Sequence, residues 1–444
     1  MEAIVKSKRI RYKAIVVVAL LSTLLAAKDS FATTENDVLL VLPMSHQVIQ
    51  RITLTTGTMK IRVRAGLTTV TAISAFVINQ AGTIVFIATP SSLSIPSGST
   101  YDIEAPNLTA GPGYTVKVYQ SDGVNVIYSA ATPVGIGDIF IVAGQSNAAN
   151  SDQVKTSANS GYVTTYDTKT NSWNLSADPQ PGPYPFDGSL PANEVNRNFA
   201  GIGTQGSIWP IFGDYLANQN GGIPIGIVSL GFGGSAIADW VPATAEGPCD
   251  SAAGITGVRD PGVNYNMIRN SCHHLPFLLD AVNNMLSISG GFRLILWHQG
   301  ESEAAQSTSI GTSYYYNSFK NMQAAVAAVA PSSQWVVSQD SFFPADYNIS
   351  PDYANVPCGT TTINSTNYSL VSNDQARLVS DGSAWQGPFS NYYVGNTYRY
   401  RMAAGGTYGY CVHMNGYGQT LLGEDWANHV HAITSFAPKL NPSY

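Results

Sequence analysis

Charge is scarce in this chain, and cysteine scarcer. Asp, Glu, Lys and Arg make up only 11% of the 444 residues while apolar residues reach 44%, the reverse of a disordered composition. The four cysteines, Cys249, Cys272, Cys358 and Cys411, match no zinc-ligand spacing. Beyond residue 32 no run is apolar enough to span a bilayer, which excludes stable membrane insertion of the rest of the chain. Gly, Ser, Thr, Asn and Tyr are abundant instead, the balance of a loop-rich, β-rich exported protein. The length suits two domains.

The first residues carry what the remainder lacks. Lys6, Lys8, Arg9, Arg11 and Lys13 precede the apolar run "AIVVVALLSTLLAA" and then Ser30-Phe31-Ala32, the pattern of a secretory signal peptide over residues 1–32 with cleavage after Ala32. An exported protein, secreted or periplasmic, is therefore expected. Residues 1–32 hold six of the 22 basic side chains and two of the 28 acidic ones, so the mature chain carries 16 against 26, a net charge of −10. Nucleic acid is thereby excluded as a partner. An even cysteine count in an exported chain predicts disulfides, Cys249 with Cys272 and Cys358 with Cys411, although two other connectivities are open.

Residues 37–134 show short β-prone runs broken by turns, among them "VLLVLP", "QRITLTT", "KIRVRA", "TAISAFVI", "TIVFIAT" and "GYTVKVYQSDG". They predict a small immunoglobulin-like β-sandwich, with "TPVGIGD" as the linker that follows. Over 136–435 buried-strand patterns ("DIFIVAG", "IPIGIVSLG", "FRLILWHQG", "QWVVSQD") alternate with helical ones ("SIWPIFGDYLAN", "LPFLLDAVNNMLS", "YYYNSFKNMQAAVAAVA"), which predicts a parallel sheet covered by helices on both faces. Two Pro- and Asn-rich stretches, 171–199 and 342–368, read as long loops around a cleft.

Sites in such α/β folds lie at the carboxyl ends of strands, and three unusual peptides fall there: Gly144-Gln145-Ser146-Asn147, Gly231 to Ser235, and His298 to Ser302. "GQSN" by itself is an ordinary turn, and with Ala148 in place of a second glycine it is not a GxSxG elbow. A serine becomes a nucleophile when a base takes its proton and donors hold the oxyanion. Of seven histidines, His298 and His413 sit at strand-to-helix transitions. His46, His273 and His274 read as structural, as do His429 and His431, placed after the last helix.

"GDIFIVAGQSN", "GFGGSAIADW", "LWHQGES" and "VHMNGYGQTLLGEDWA" occur in the order and approximate spacing found in the sialate O-acetylesterase-like branch of the SGNH hydrolases, which includes acetylxylan esterases; the resemblance covers residues 136–432. It implies a three-layer α/β/α SGNH (flavodoxin-like) domain and a serine carbohydrate esterase that removes acetyl or another short acyl group from a glycan, with no metal or cofactor. It implies Ser146 as nucleophile, His413 as general base, and the backbone N–H groups of Ser146 and of Gly234 or Gly233 with the Gln299 side-chain amide as oxyanion hole. Asn147 and Trp240 are placed against the substrate, Trp240 and Trp209 having an alternative place in the core. One position departs from the family. Where many members carry Asp three residues before the catalytic histidine, this chain has Tyr410, and a neutral phenol cannot replace a carboxylate's charge. Glu301 is the expected substitute acid, its alternative role being to hold the Gln299 loop; Asp340, Asp381, Asp425 and a bare Ser-His dyad are the other options. An acyltransferase of the same fold and a silent glycan-binding protein are the competing functions. Oligomeric state is left open.

Overall fold

Alternation of apolar and polar residues builds the first half of the chain. In the computed structural model, which describes residues 38–90, 93–121, 126–182, 205–242, 274–346, 357–400 and 411–434, β3 (Thr56–Ala65) turns Met59, Ile61, Val63 and Ala65 inward. It pairs antiparallel with β1 (Val38–Leu42) and β6 (Thr100–Thr109). A second sheet holds β2 (Val48–Gln50), β4 (Ser74–Ile78), β5 (Ile84–Ala88), β7 (Gly111–Ser121) and β8 (Val126–Gly144). The two sheets enclose one core of aliphatic side chains that includes Ile61, Val77, Ile103 and Val116. Strand β6 is a strand that the sequence pattern did not reveal, because only Ile103, Ala105 and Leu108 of its ten residues face inward.

Strand β8 corrects the expected linker. "TPVGIGD" is not a loop but the middle of this 19-residue strand, which runs antiparallel to β7, then beside β2, and begins its parallel pairing with β11 at Asp138. Its glycines read as a turn signal, yet the ladder on either side keeps the backbone extended. Arg51 fixes the junction with a buried bidentate pair to Asp138, Nη2 to Oδ2 at 2.6 Å and Nε to Oδ1 at 2.9 Å.

The second sheet continues with β9 (Val163–Asp167), β10 (Ser172–Leu175), β11 (Ile225–Gly231), β12 (Leu294–His298), β13 (Trp335–Val337) and β14 (Trp385–Gln386). Its spatial order is β10-β9-β11-β8-β12-β13-β14, parallel throughout except for the β9–β10 hairpin. Counted without that hairpin, the order is the doubly wound 2-1-3-4-5, and the switch point lies at β8. Helices α1 (Trp209–Gln219), α2 (His274–Ser289), α3 (Glu301–Ala304), α4 (Tyr314–Ala327), α5 (Ser365–Ser380) and α6 (Gly416–Thr434) flank it. The fully buried residues of β8 alternate between two cores: Ile139, Ile141 and Ala143 pack with α2, α4 and α5, whereas Phe140 and Val142 pack with α1 and α6.

Three local expectations change. Ser172–Leu175, inside the first expected loop, forms β10, and α5 starts at Ser365 within the second, capped by the Asn364 side chain on the N–H groups of Thr366 and Asn367. His429 and His431 lie within α6 and not beyond it. Residues 1–32, Cys249, Cys272 and Tyr410 lie outside the described residues, so the leader and the first disulfide are not seen; Cys358 and Cys411 do form the second one.

Candidate active site

Gly144, Gly231 and His298 end three parallel strands at register positions side by side, with Gly144 in the middle. The three marked peptides therefore leave the sheet together at its switch point. Gly144 has φ +140°, and a Cβ there would sit 2.0 Å from the His298 carbonyl oxygen, so only glycine lets β8 pass so close to β12 while it turns. The backbone N–H of Gln145 donates to that same carbonyl, and a short 3₁₀ turn, Ser146–Ala148, follows. Ser146 is 7% exposed, and among the described residues its hydroxyl makes no hydrogen bond. The next turn, Phe232 to Ser235, is tied to Gly144 by the Phe232 N–H, and its Gly233 and Gly234 are half-buried.

Asn147 joins the serine turn to the histidine loop. Its Nδ2 donates to Glu301 Oε1 at 2.5 Å and to the Val412 carbonyl at 3.4 Å, the peptide directly before His413. His413 itself is 8% exposed. Its loop is held on every side: Arg399 donates through Nη1 to the Val412 carbonyl, the Tyr400 N–H donates to the His413 carbonyl, and Cys411 is bonded to Cys358. Met414 donates its N–H to Asp152 Oδ1 at 3.1 Å and accepts from the Gln153 N–H.

Beneath this lies a fully buried acidic layer. Glu301 follows Gly300, which has φ +154° and would bring a Cβ to 1.8 Å from the Asp340 carbonyl oxygen. Burial first, and then the charge of Asp340, raise the Glu301 carboxyl well above its usual range. Burial works to raise Asp340 as well, but the His298 imidazole, 2.8 Å away, and Glu301 outweigh it and hold that carboxyl below the usual range. Of the two carboxyls, Glu301 is the one that burial and its neighbour push toward the protonated form. Glu301 meets Asn147 and Asp340, and it also feels the charge of Arg399.

Gln299 is fully buried, and its amide Nε2 faces three acceptors: Glu303 Oε2 at 2.5 Å, Gln145 Oε1 at 3.2 Å and the Ser235 carbonyl at 3.2 Å. Glu303, whose other oxygen accepts from the Ile237 N–H at 2.6 Å, connects the Gln299 peptide to the "GGS" turn. Burial raises its carboxyl to about 7. Gln375 of α5 takes the Asp340 N–H and donates to the Gln299 and Asp340 carbonyls. Trp240 and Asn147 have no surface for a substrate. Trp240 is fully buried among Phe232, His274 and Trp297, with its indole N–H on Ser235 Oγ, and Trp209 is likewise core. Asp381 and Asp425 face Tyr316 and Tyr393, on the flanks of the sheet.

Sequence reasoning missed Asp152, Arg399, Glu303 and Gln375. A lone arginine in "YRYR" and a glutamine within a polar helix carry no signal, since their meaning is burial. Glu303 had one: it stands four residues past Gln299 in the same short peptide. Among the described residues no group of three or more His, Cys, Asp or Glu side chains could hold a metal ion, and no helix is long and apolar enough to cross a membrane.

The chain is similar to known proteins in part of its sequence and in its fold. Residues 136–337 match the family model described as carbohydrate esterase, sialic acid-specific acetylesterase. No curated protein matches the chain. Among solved structures, a carbohydrate acetylesterase from Xanthomonas citri superposes with a TM-score of 0.50 at 17% identity, covering 89% of this chain and 75% of that one. An Arabidopsis thaliana protein gives a TM-score of 0.40 at 15% identity, covering 67% of this chain and 98% of that one. Residues 136–337 thus resemble the carbohydrate esterases of the sialic acid-specific acetylesterase family, a match that indicates an ester hydrolase.

Proposed function

We propose that Ser146 attacks the carbonyl carbon of a short acyl ester on a glycan, that His413 takes the serine proton and returns it to the leaving sugar hydroxyl, and that water then releases the acyl group. The observation that carries this reading is the Asn147 bond to the Val412 carbonyl, which holds the peptide before His413 against the residue after Ser146 at the switch point of the sheet. The oxyanion faces the backbone N–H groups of Ser146 and Gly234, with Gly233 beside them, each donor lowering the barrier by about 3 kcal/mol. Gln299 joins them when one of its two longer bonds, to Gln145 or to Ser235, is exchanged for the oxyanion.

Glu301 acts in this reading through Asn147. Its Oε1 accepts from Asn147 Nδ2 and so fixes the amide that fixes the histidine loop. Acetyl is the acyl group favoured by the matching family, and the sugar is set by loops around the cleft. The β-rich unit at 37–134 is of the immunoglobulin-like kind, a reading supported by Tyr114, whose hydroxyl donates to the Thr109 carbonyl five residues upstream as in a tyrosine corner. The esterase unit at 136–435 is a three-layer SGNH domain. Export fits the Cys358–Cys411 disulfide.

The test is hydrolysis of 4-nitrophenyl acetate and release of acetate from acetylated xylan and O-acetylated sialosides. Ser146→Ala is expected to lower kcat by about a thousandfold or more with an unchanged circular dichroism spectrum, and a fluorophosphonate probe should label the wild type alone. Unchanged turnover in the variant refutes the assignment.

A further inference from the structure

Gln299 is the one side chain among the proposed oxyanion donors, and a side-chain amide, unlike a backbone N–H, has to be held in place by its neighbours. Its oxygen does not do this: Oε1 is buried and, among the described residues, has no hydrogen-bond partner. The amide is therefore oriented from its nitrogen side. Nε2 carries two protons and meets three acceptors, which are unequal. Glu303 Oε2 lies at 2.5 Å, against 3.2 Å for both Gln145 Oε1 and the Ser235 carbonyl. Gln145 Oε1 is also shared, since it accepts the N–H groups of Gly300 and Ser302 at 3.3 and 3.0 Å. One proton is thus committed to Glu303, and the other is divided between two long contacts.

We propose that Glu303 is the positioning residue of Gln299: by holding one proton of the amide it leaves the other for the oxyanion that forms on the ester carbonyl. The inference rests on the reading of Ser146 as nucleophile and Gln299 as oxyanion donor. Glu303 is itself well fixed. It is fully buried in α3, and its Oε1 accepts at 2.6 Å from the N–H of Ile237, which opens the 3₁₀ turn Ile237–Trp240 just past the "GGS" peptide. Burial raises its carboxyl to about 7 against the Gln299 amide and the Ile237 N–H, and Asp239 adds a smaller push; Tyr315 is the other ionisable group that feels its charge. Above that value both oxygens are acceptors, as two N–H donors at 2.5 and 2.6 Å require. The two long contacts of Nε2 are the ones exchanged for the oxyanion, in acylation and again in deacylation, while the bond to Glu303 persists.

Glu303→Gln has one oxygen for two donors, so it cannot hold Ile237 and the Gln299 amide together. At about pH 8.5, where the wild-type carboxyl is ionised, the variant's melting temperature is expected to equal or exceed that of the wild type. Its kcat on 4-nitrophenyl acetate and its rate of fluorophosphonate labelling are nevertheless expected to fall together by about tenfold to a hundredfold, with KM changed by less than about twofold. A double-mutant cycle shows through which group it acts. Gln299→Ala alone should lower kcat by about a hundredfold, and adding Glu303→Gln to it should lower kcat by less than about threefold more. Wild-type kcat in Glu303→Gln, a loss of kcat that comes with a lowered melting temperature, or the same fold-loss with and without Gln299 overturns the proposal. Glu303→Ala stands in if the first variant does not fold, and failure of both to fold makes Glu303 structural and overturns it as well. Ser146→Ala and Gln299→Ala test the underlying reading: wild-type activity in either refutes that assignment, whereas a slow Gln299→Ala beside a fully active Glu303→Gln refutes Glu303 alone.

Discussion

Glu303 couples folding stability to pH. It is fully buried, accepts from the Ile237 N–H and the Gln299 amide, and its carboxyl is raised from 4.5 to about 7. The folded state thus prefers the neutral acid. The stability that Glu303 contributes is fully present below the unfolded value near 4.5 and is lost as pH rises through 7. Every tenfold gain in proton affinity on folding corresponds to about 1.4 kcal/mol, so the loss approaches about 3 kcal/mol by pH 8.5. Glu303→Gln removes the titration, and since one amide oxygen cannot accept both bonds it also loses one hydrogen bond, worth about 1 kcal/mol. The variant should therefore be less stable than the wild type by about 1 kcal/mol at about pH 3.5 and more stable by about 2 kcal/mol at about pH 8.5. Urea unfolding followed by tryptophan fluorescence at the two pH values measures both differences. Two parallel stability–pH curves, with no crossing, would refute the reasoning.

Two further perturbations test the loop that carries His413. Asn147→Ala leaves the Val412 carbonyl with Arg399 alone and strips Glu301 Oε1 of its donor, so kcat is expected to fall by about a hundredfold while stability drops by about 2 kcal/mol; unchanged kcat counts against the strut. Reduction of Cys358–Cys411, which are 53 residues apart, should cost about 4 kcal/mol of stability on the chain-entropy model and lower kcat more than it raises KM, as followed by acetate release before and after mild reductant.

The strand ends that position the site were readable because β8, β11 and β12 are continuous apolar runs followed at once by glycine-bearing polar turns. That pattern specifies a buried parallel strand and its exit. Strands β6 and β10 and helix α5 were not readable, since half or more of their residues face polar neighbours or solvent and their identity is set by what they pair with. The same limit governs the site. Ser146 and His413 stand in peptides with a recognisable composition, whereas Asp152 and Arg399 gain meaning only when the fold buries them beside residues 262 and 13 positions away. Trp240 shows the converse: an aromatic beside a glycine turn reads as a sugar platform, but its burial against Trp297 and His274 leaves it no face to offer.

A carboxylate three residues before the histidine acts from within the histidine's own loop, and its loss would ordinarily leave that loop without a charge. Here the restraint comes from across the site. The segment after the serine reaches the loop twice, through Asn147 at Val412 and through Asp152 at Met414, and Arg399 closes it from the remaining side. Because both restraints lie on the segment that carries Ser146, the serine turn and the His413 loop are referenced to the same stretch of backbone. A shift of the histidine loop relative to the sheet then changes the Ser146–His413 geometry less than it would if the acid travelled with the histidine. In the proposed reading Tyr410 is then compatible with catalysis, because groups that hold the His413 loop lie on the Ser146 segment.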